Sequence, residues 1–479
     1  MRFVCAAFLL VSLFTSPASG AIITHDLAEF AIFSDKAVDL QNRFIVGGLV
    51  GSNSDIEASN TELPGIRAGG SLTLQGTNRD VNGDIIVNLA ADLGLGHDIF
   101  GDVHSSADVS FDDDEVSGPD NKRVVGTILA KGDVVLPTGS LVVENIETEG
   151  SVELKSNSTV EGDIFAGGDV LLQQAAEVGV SGALIGGNVT TNGLIDMRKS
   201  AVIYGDARAN GDILMGQNAL IEGDATSSGI IDDSASGATI NGTSTSGAPL
   251  VPSITTNPDT FGLLTLPAAQ VFSVGVGSIS NGQAGTGIGD PLAPGEYGDL
   301  IGGSGFDVYL TAGTYTFNSI GTGNNTQLYL DLSSGQSIEI LVQGDAFFGV
   351  GSNDPLDIFI SSDGLSYLPM DDPGIDPALS HLVSIEAHGT FKEGINGMWF
   401  GDIYTPFEGI EAARLRMIGG AYAGGYIDND PQNFGIRLQQ GHPTYHDFIP
   451  VVPEPSTLLL AVLGLTGLGL LGWRRRRGR

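Results

Sequence analysis

Short apolar runs, interrupted by glycine and aspartate, recur along most of this chain. Segment 126–136 matches segment 162–172 at seven of eleven positions. A third copy occupies 205–215, and a degenerate fourth copy lies at 419–427. Self-similarity at a fixed spacing is the signature of a repeat architecture, so the repeat governs the prediction of the fold.

The first two copies are offset by 36 residues, and half of this offset, 18 residues, is the basic step of the pattern. Glycine pairs at this 18-residue spacing are Gly83 and Gly101, Gly205 and Gly223, and Gly401 and Gly419. Three short strands and three corners fit one triangular coil per step, which predicts an all-β fold, a parallel β-helix (β-solenoid). Glycine suits the corner conformations, and the Asp and Asn residues beside it can bond the corner backbone. An antiparallel sandwich is the alternative for residues 65–247, but it gives no reason for an 18-residue step.

The same pattern predicts which aliphatic side chains point into the solenoid. We expect inward positions at Ile164, Val170, Val202, Ile213 and Ile221. Helix is expected to be scarce outside the two ends of the chain and a short stretch near 26–34.

The sequence divides into segments of different character. A second β-rich region follows a stretch rich in Ser, Thr, Gly and Pro. The predicted segments are a signal peptide at 1–20, an N-terminal cap at 21–64, β-helix repeats at 65–247, a linker or cap at 248–295, a second β-rich domain ending in β-helix-like coils at 296–447, and a sorting tail at 453–479.

The two ends predict export and membrane insertion. Arg2, an apolar run and the small residues at 18–20 have the anatomy of a secretory signal peptide, which forms the N-terminal helix. At the other end, 458–473 is an apolar and glycine run followed by four arginines. Sixteen residues make a helix of about 24 Å, slightly short of a typical bilayer core. This predicts a transmembrane helix with the arginines in the cytoplasm.

A Pro-Glu-Pro motif precedes this apolar run. Together with the arginines, the tail contains Pro453, Glu454, Pro455, Arg474, Arg475, Arg476 and Arg477. The order of these three parts resembles the PEP-CTERM sorting signal. The resemblance implies processing by an exosortase-type enzyme near the Pro-Glu-Pro motif. It also implies a precursor anchored in the inner membrane, then a mature protein at the cell surface or in the extracellular matrix. A plain membrane anchor that is never cut is the alternative.

Two further resemblances concern the body of the protein. The repeats over about 120–245 resemble those of bactofilins and related polymer-forming β-helix proteins, which implies a structural solenoid. The stretches 48–57 and 69–74 resemble the opening of choice-of-anchor A domains, which occur in surface proteins and imply adhesion-type roles.

The charge and the cysteine content of the protein limit its binding partners and its chemistry. The formal charge is −36. Residues 21–452 hold 15 of the 21 basic and 56 of the 57 acidic residues, a balance of 15 − 56 = −41. Such a surface repels nucleic acid and attracts divalent cations. The single cysteine, Cys5, lies in the signal peptide, so the body has no disulfide or thiolate chemistry.

Candidate chemistry is sparse. The acidic run Asp112, Asp113, Asp114 and Glu115 is the best candidate for an ion site, with calcium as the ion, because calcium prefers several carboxylate oxygens. Asp371, Asp372 and Asp376 form a second, weaker acidic cluster. No nucleophile elbow, Walker loop or dinucleotide fingerprint is present, and no organic cofactor is predicted.

These features favour a non-catalytic structural or adhesive protein that contacts exopolysaccharide or copies of itself. A carbohydrate-active β-helix enzyme, a lyase or glycosidase with Asp232 and Asp233 as candidate carboxylates, is the alternative, and an acyltransferase is a third class. A face of stacked aromatics and carboxylates in a groove would favour the enzyme, and a smooth solenoid would favour the scaffold.

Overall fold

A computed structural model of the chain divides it into two units, residues 1–446 and 447–479. All residues that the structure describes lie in the first unit. They are residues 21–23, 25–41, 47–76, 79–94, 97–111, 123–182, 187–281, 285–287, 290–349, 356–394, 397–413, 416–425 and 436–439. The predicted signal peptide, the Asp112–Glu115 run and the sorting tail with its helix at 458–473 lie outside these residues.

The described residues form a parallel β-helix with three faces, so the predicted fold class is confirmed. Each coil contributes a strand to face 1 and to face 2, most coils also contribute one to face 3, and equivalent residues pair in register. Ile128, Ile146 and Ile164 are consecutive partners on the first face, each one 18-residue step after the last. The side chains of all three are fully buried, because every second strand residue points into the coil.

Among the described residues, face 1 contains eighteen strands. In stacking order they are Ser244–Thr245, Ala225–Ser227, Ala207–Ala209, Val189–Thr191, Ile164–Ala166, Ile146–Thr148, Ile128–Ala130, Val103–Ser105, Ile85–Val87, Ile66–Ala68, Leu49–Ser52, Phe30–Ser34, Ala421–Ala423, Asp402–Thr405, Val383–Ala387, Ile338–Val342, Gly313–Phe317 and Gly295–Glu296.

Face 2 also contains eighteen strands. In the same order they are Ile231–Asp232, Ile213–Met215, Ile195–Met197, Val170–Leu172, Val152–Leu154, Val134–Leu136, Val109–Ser110, Ala91–Asp92, Leu72–Gln75, Ile56–Ser59, Val38–Gln41, Ile436–Gln439, Ile410–Ala413, Phe391–Glu393, Ala346–Phe348, Ser319–Thr322, Asp299–Gly302 and Ile279–Ser280.

Face 3 is divided into shorter sheets. A nine-stranded sheet contains Thr239–Ile240, Leu220–Ile221, Val202–Ile203, Glu177–Val178, Thr159–Val160, Leu141–Val142, Arg123–Val124, His97–Ile99 and Arg79–Val81. Two further sheets contain Asp307–Leu310, Gln327–Asp331, Asp357–Ser361 and Leu368–Pro369, and Met398–Phe400 with Arg416–Ile418. Two small pairs lie outside the coils, Ile22–Ile23 with Thr260–Phe261 and Thr286–Gly287 with Asp290–Pro291.

The first described coil lies in the middle of this stack. Strand Phe30–Ser34 pairs on one side with Leu49–Ser52 and on the other with Ala421–Ala423. Strand Val38–Gln41 likewise pairs with Ile436–Gln439. We call this contact between the first and last coils the seam. The strands within 30–41 and 49–59, in the segment predicted as a cap, therefore have a neighbouring strand on both sides.

Two local expectations are corrected. Val202 is only half-buried and Ile203 takes the inward position, because alternate strand residues face opposite ways. The expected helix near 26–34 is a single 3-10 turn, Leu27–Glu29, followed by a strand. Asp26 and Glu29 do form a capping box, but the apolar residues after Glu29 pair with neighbouring coils instead of continuing the helix. A second 3-10 segment of the described residues is Pro377–Leu382.

The segment predicted as a linker or cap connects the two ends of the stack. After Ser244–Thr245 the chain reverses and runs back along the outside of face 1 as far as Gly275, where it meets Tyr297 near the opposite end. We call residues 248–275 the strap. Among the described residues, no helix has both the length and the hydropathy needed to cross a membrane.

Candidate functional site

Rows of corner side chains join consecutive coils. In one row, each Asp or Asn accepts a hydrogen bond through Oδ1 from a backbone N–H of the next coil, at 2.7–3.1 Å. Its members are Asp84, Asp102, Asn145, Asp163, Asn188, Asp206 and Asp224. A second row includes Asp108, Asp133, Asp169 and Asp212. This confirms that the repeated Asp and Asn bond the corner backbone, so the role of the Gly-Asp motif is structural.

Four asparagines hold the strap against face 1. Asn53, Asn88, Asn192 and Asn210 each follow a face 1 strand, so they line one edge of the solenoid. The Oδ1 atom of each accepts from a strap N–H, and the Nδ2 atom donates to a strap carbonyl. Each amide therefore satisfies a donor and an acceptor of an extended segment. Sequence reasoning assigned Asn to the corners and missed this role.

The predicted candidate residues in the described region do not converge on a metal. Asp371 pairs with Arg416 at 2.8 Å, Asp372 accepts from the N–H of Gly374, and Asp376 caps the 3-10 segment that follows it. Among the described residues, no group of three His, Cys, Asp or Glu side chains could hold a metal ion.

The enzyme candidates Asp232 and Asp233 lie in the last coil before the strap, and both are exposed. Asp232 accepts a hydrogen bond from the N–H of Ser234. His104 accepts at Nδ1 from the strap N–H of Asp259, and His388 pairs with Glu386 at 2.9 Å. His104 therefore holds the strap directly, and Glu386, the partner of His388, accepts from the strap N–H of Gln270.

An aromatic stack lies on the outer side of face 3, in the half of the solenoid after the strap. Tyr309, Tyr329 and Phe359 are register partners on three consecutive strands. Their ring centroids are 4.1 Å and 4.9 Å apart, with interplanar angles of 8° and 15°. Because outward residues of successive coils superpose, an aromatic residue at the same position in three coils must stack.

A fourth ring covers the stack from the side. Tyr367 is perpendicular to Tyr309 and Tyr329, with centroid distances of 5.9 Å and 5.4 Å. These nearly equal distances place Tyr367 beside the pair rather than at the end of the stack. Tyr309 is 6% exposed as a result, whereas Tyr329, Phe359 and Tyr367 are half-buried. We call these four residues the aromatic site.

Carboxylates surround the aromatic site. Asp307, Gln327 and Asp357 pair at the start of the three strands, and the hydroxyl of Tyr329 donates to Oε1 of Gln327 at 2.6 Å. Burial raises the pKa of Asp307 and of Asp357, and nearby Asp371 raises that of Asp357 further. Burial also raises the pKa of the Tyr329 hydroxyl. The arrangement combines apolar ring surface with hydrogen-bonding groups at its edge.

The loop that carries Tyr367 is held by its own hydrogen bonds. The Oδ1 atom of Asp363 accepts from the N–H groups of Leu365 and Ser366, and these bonds lower the Asp363 pKa to about 2. Downstream, Leu368 and Pro369 pair antiparallel with the last strand of the stack. Tyr367 is therefore fixed between two anchored points, while Leu365 at the tip is 85% exposed.

A cavity of about 570 Å³ lies where the strap crosses the seam. It is lined by strap residues 264–269 together with Lys36, Tyr404, Phe407 and Gly425. The Tyr404 hydroxyl donates to the carbonyl of Pro267 and so closes one side. The cavity contains one basic side chain and no convergent set of carboxylates among its lining residues.

One buried acid has no partner in the described structure. Glu393 is 3% exposed, and neither carboxylate oxygen has a hydrogen-bond partner. Burial raises its pKa well above the usual value. Trp399, whose indole N–H is also unpaired, lies in the same half of the core. A fully enclosed carboxyl is inaccessible to a ligand, so we assign Glu393 to the core.

Three solved structures are similar to this chain in part. The Tapirin C-terminal domain of Caldicellulosiruptor kristjanssonii is 14% identical, with 86% of this chain and 93% of that chain covered and a TM-score of 0.23. A possible adhesin C-terminal domain from Caldicellulosiruptor kronotskyensis is 12% identical, covering 71% and 90%, with a TM-score of 0.22. An ice binding protein from an Antarctic Flavobacteriaceae bacterium is 12% identical, covering 87% and 97%, with a TM-score of 0.18. Scores this low carry no argument about function.

The C-terminal tail gives the informative comparison. No curated protein matches the chain in sequence. Residues 451–477 match the PEP-CTERM protein-sorting motif, and this span contains the Pro-Glu-Pro residues and the four arginines. The motif marks proteins that are exported, held in the membrane through the C-terminus before processing, and then located at the surface. The chain therefore carries a PEP-CTERM sorting motif and is an exported, surface-anchored β-solenoid protein.

Proposed function

We propose that this protein is a non-catalytic structural or adhesive scaffold of the cell surface that associates with exopolysaccharide or with copies of itself. The observation that carries the proposal is the continuous stack of coils, which offers long regular faces and whose described polar side chains serve mainly to join coils and hold the strap. The sorting motif supports delivery to a carbohydrate-rich exterior.

One end of the stack supports self-association. Strands Ser244–Thr245, Ile231–Asp232 and Thr239–Ile240 each pair with one neighbour, and no described strand covers their outer edges. Unpaired strand edges are templates for another chain. The seam supports the idea that coils distant in sequence can stack, because residues 30–41 pair with 421–439 across nearly the whole chain.

Acidic charge opposes this contact unless a cation screens it. The open end carries Asp232 and Asp233, and the body has a balance of −41. We expect association of residues 21–452 to strengthen with millimolar calcium and weaken with chelator, because calcium can bridge carboxylates. Sedimentation with and without calcium tests this, and equal behaviour in both conditions would remove calcium from the proposal.

A single-cysteine variant locates the contact. Because Cys5 lies in residues 1–20, S244C would provide the one thiol of the exported body. Rapid formation of a disulfide-linked dimer by S244C, and little by the matched variant S156C from the middle of the stack, is the expected result. A pull-down on the host's own polysaccharide tests the other form of association.

The aromatic site favours one alternative, a carbohydrate-active enzyme. Stacked rings beside carboxylates are a feature expected of such enzymes. Incubation of the protein with extracellular glycans and analysis of the products separates the two. Cleavage that is abolished by a single carboxylate substitution, such as D357N, would replace the scaffold with the enzyme.

A further inference from the structure

We propose that the aromatic site binds a glycan built of neutral or amino sugars through the half-buried rings of Tyr329, Phe359 and Tyr367, while the buried ring of Tyr309 supports the stack. This inference rests on the proposed function and names the ligand class and the place of contact. It differs from general adhesion by the solenoid surface, because it requires one cluster of side chains on face 3 and excludes acidic polysaccharides.

The ring cluster has the amphipathic character that sugar recognition needs. A sugar ring has apolar C–H surface and a rim of hydroxyl groups. Tyrosine offers an apolar body with a polar tip. Tyr309 and Tyr329 cover each other's facing sides at 4.1 Å, so the ring surface left for a sugar belongs to the half-buried Tyr329, Phe359 and Tyr367. Gln327 and Asp357, in register beside the stack, add an amide and a carboxylate within the same group of strands.

The charge around the rings selects the sugar. Asp307 and Asp357 act on the Tyr329 hydroxyl electrostatically, and Asp331 acts on that of Tyr367, so these carboxylates lie close to the rings. Among the described residues, the nearby cation Arg416 is paired with Asp371 at 2.8 Å. A uronic acid would meet like charge, whereas a neutral sugar can donate hydroxyl hydrogen bonds and an amino sugar can pair with a carboxylate.

The site is prearranged. Asp363 and the antiparallel pairing of Leu368 fix the loop that carries Tyr367, and the stack itself is part of a continuous sheet. Little ordering is therefore required when a ligand binds, and the cost of ordering is a principal loss in binding. The exposed Leu365 extends the apolar surface at the loop tip.

Binding can be measured with three defined probes. Isothermal titration of the purified protein would use cello-oligosaccharide as the neutral probe, chitosan oligosaccharide as the amino-sugar probe and alginate oligosaccharide as the uronic acid probe. We expect binding of the neutral or the amino-sugar probe, and at least tenfold weaker binding of the alginate probe.

Two substitutions place that binding at the site. Y367A should weaken binding at least tenfold. D357N should weaken binding of the chitosan oligosaccharide more than binding of the cello-oligosaccharide. Y204A is the matched control, because Tyr204 is a half-buried tyrosine on the regular half of the solenoid. Y367F keeps the ring and guards against misfolding of Y367A, so it should retain most of the affinity.

The inference is overturned if no probe binds, if alginate binds as tightly as the others, or if Y367A binds like the parent. The proposed scaffold function fails separately. A protein that associates with itself but binds none of the probes would keep the scaffold and lose the glycan site. Loss of surface association with intact probe binding would do the reverse.

Discussion

The two halves of the solenoid are built from the same two long sheets but differ in regularity. Before the strap, most consecutive face 1 partners keep an 18-residue step, as Ile128, Ile146 and Ile164 do, and face 3 strands are mostly of minimal length. After the strap, the partners Tyr315, Ile340 and Ile385 follow one another at longer and unequal intervals. The extra residues form longer face 3 strands and the loop that carries Tyr367.

The comparison teaches where function can arise in a repeat protein. In the regular half, almost every position is constrained by the coil on each side, so side chains serve the stack. Insertions between strands escape that constraint, and in the second half they bring four aromatic rings and several carboxylates together. Loops on a rigid scaffold are common places for binding.

The largest expected effect is in the core of the regular half. I164D or I213D would place a carboxylate among fully buried aliphatic residues, at a cost of several kcal/mol as an order of magnitude. We expect local loss of coils, visible as a lower melting temperature in circular dichroism. V202D is the matched control, because Val202 is half-buried and faces outward, and it should melt close to the parent. Equal destabilisation by all three would contradict the inward assignment.

The second largest effect is expected in the half after the strap, where the free energy of unfolding should depend on pH through Glu393. The folded-state pKa of Glu393 is raised by burial above that of the unfolded chain. Stability from this group is therefore fully present below the unfolded pKa and is lost as pH rises towards the folded pKa. Chemical denaturation from pH 4 upwards should show that decline, and E393Q should reduce its slope. An unchanged slope in E393Q would show that the carboxyl is solvated.

Release of the strap is expected to have a smaller effect. N192A removes an amide that bonds both the N–H of Ile254 and the carbonyl of Pro252, at a cost of about 1–3 kcal/mol. Limited proteolysis should then cut the strap faster near 250–256. N241A is the control, since the amide of Asn241 donates to Glu222 on the surface and not to the strap. Equal cleavage rates in both variants would argue that the strap is held by other contacts.

The smallest effect concerns one corner of the regular half. Gly139, Asn157, Ala175, Ser200, Asn218 and Gly237 occupy this corner in successive coils, all with positive φ. Ala175 has φ of 55°, a conformation that strains residues with a Cβ atom. A175G should raise the free energy of unfolding by about 0.5–1 kcal/mol, measured by urea denaturation. A decrease would mean that the lost methyl group contributes more than the relieved strain.

Much of this fold could be predicted from local pattern. The 18-residue step predicted the coil, and the Gly-Asp pairs predicted corners whose aspartates do bond the next coil. Four of five inward residues were identified, and Val202 was not, because in so short a strand the pattern leaves the phase of alternation ambiguous. The prediction of a short helix near 26–34 was wrong, because a capping box signals a helical turn but not its continuation.

The candidate site was beyond such patterns. The interval from Tyr309 to Tyr329 differs from the interval from Tyr329 to Phe359, so the 18-residue step does not align these rings. Their alignment depends on how much chain each corner accommodates, which is set by the packing of loops. The four asparagines that hold the strap were also beyond local pattern. The sequence predicted only a corner role for Asn, whereas their partners are distant in the sequence, as with Asn53 and Leu264.

The sequence by itself determined the repeat, the acidic body without cysteine, and the sorting motif at its end, because each of these is a local or periodic property of the chain. The tertiary structure alone decided that the first and last coils meet at a seam, that the strap returns along face 1, and that the aromatic rings stack. The physical reason is that every coil presents similar strand edges, so local pattern cannot select which distant edge pairs with which. That choice depends on the complete path of the chain.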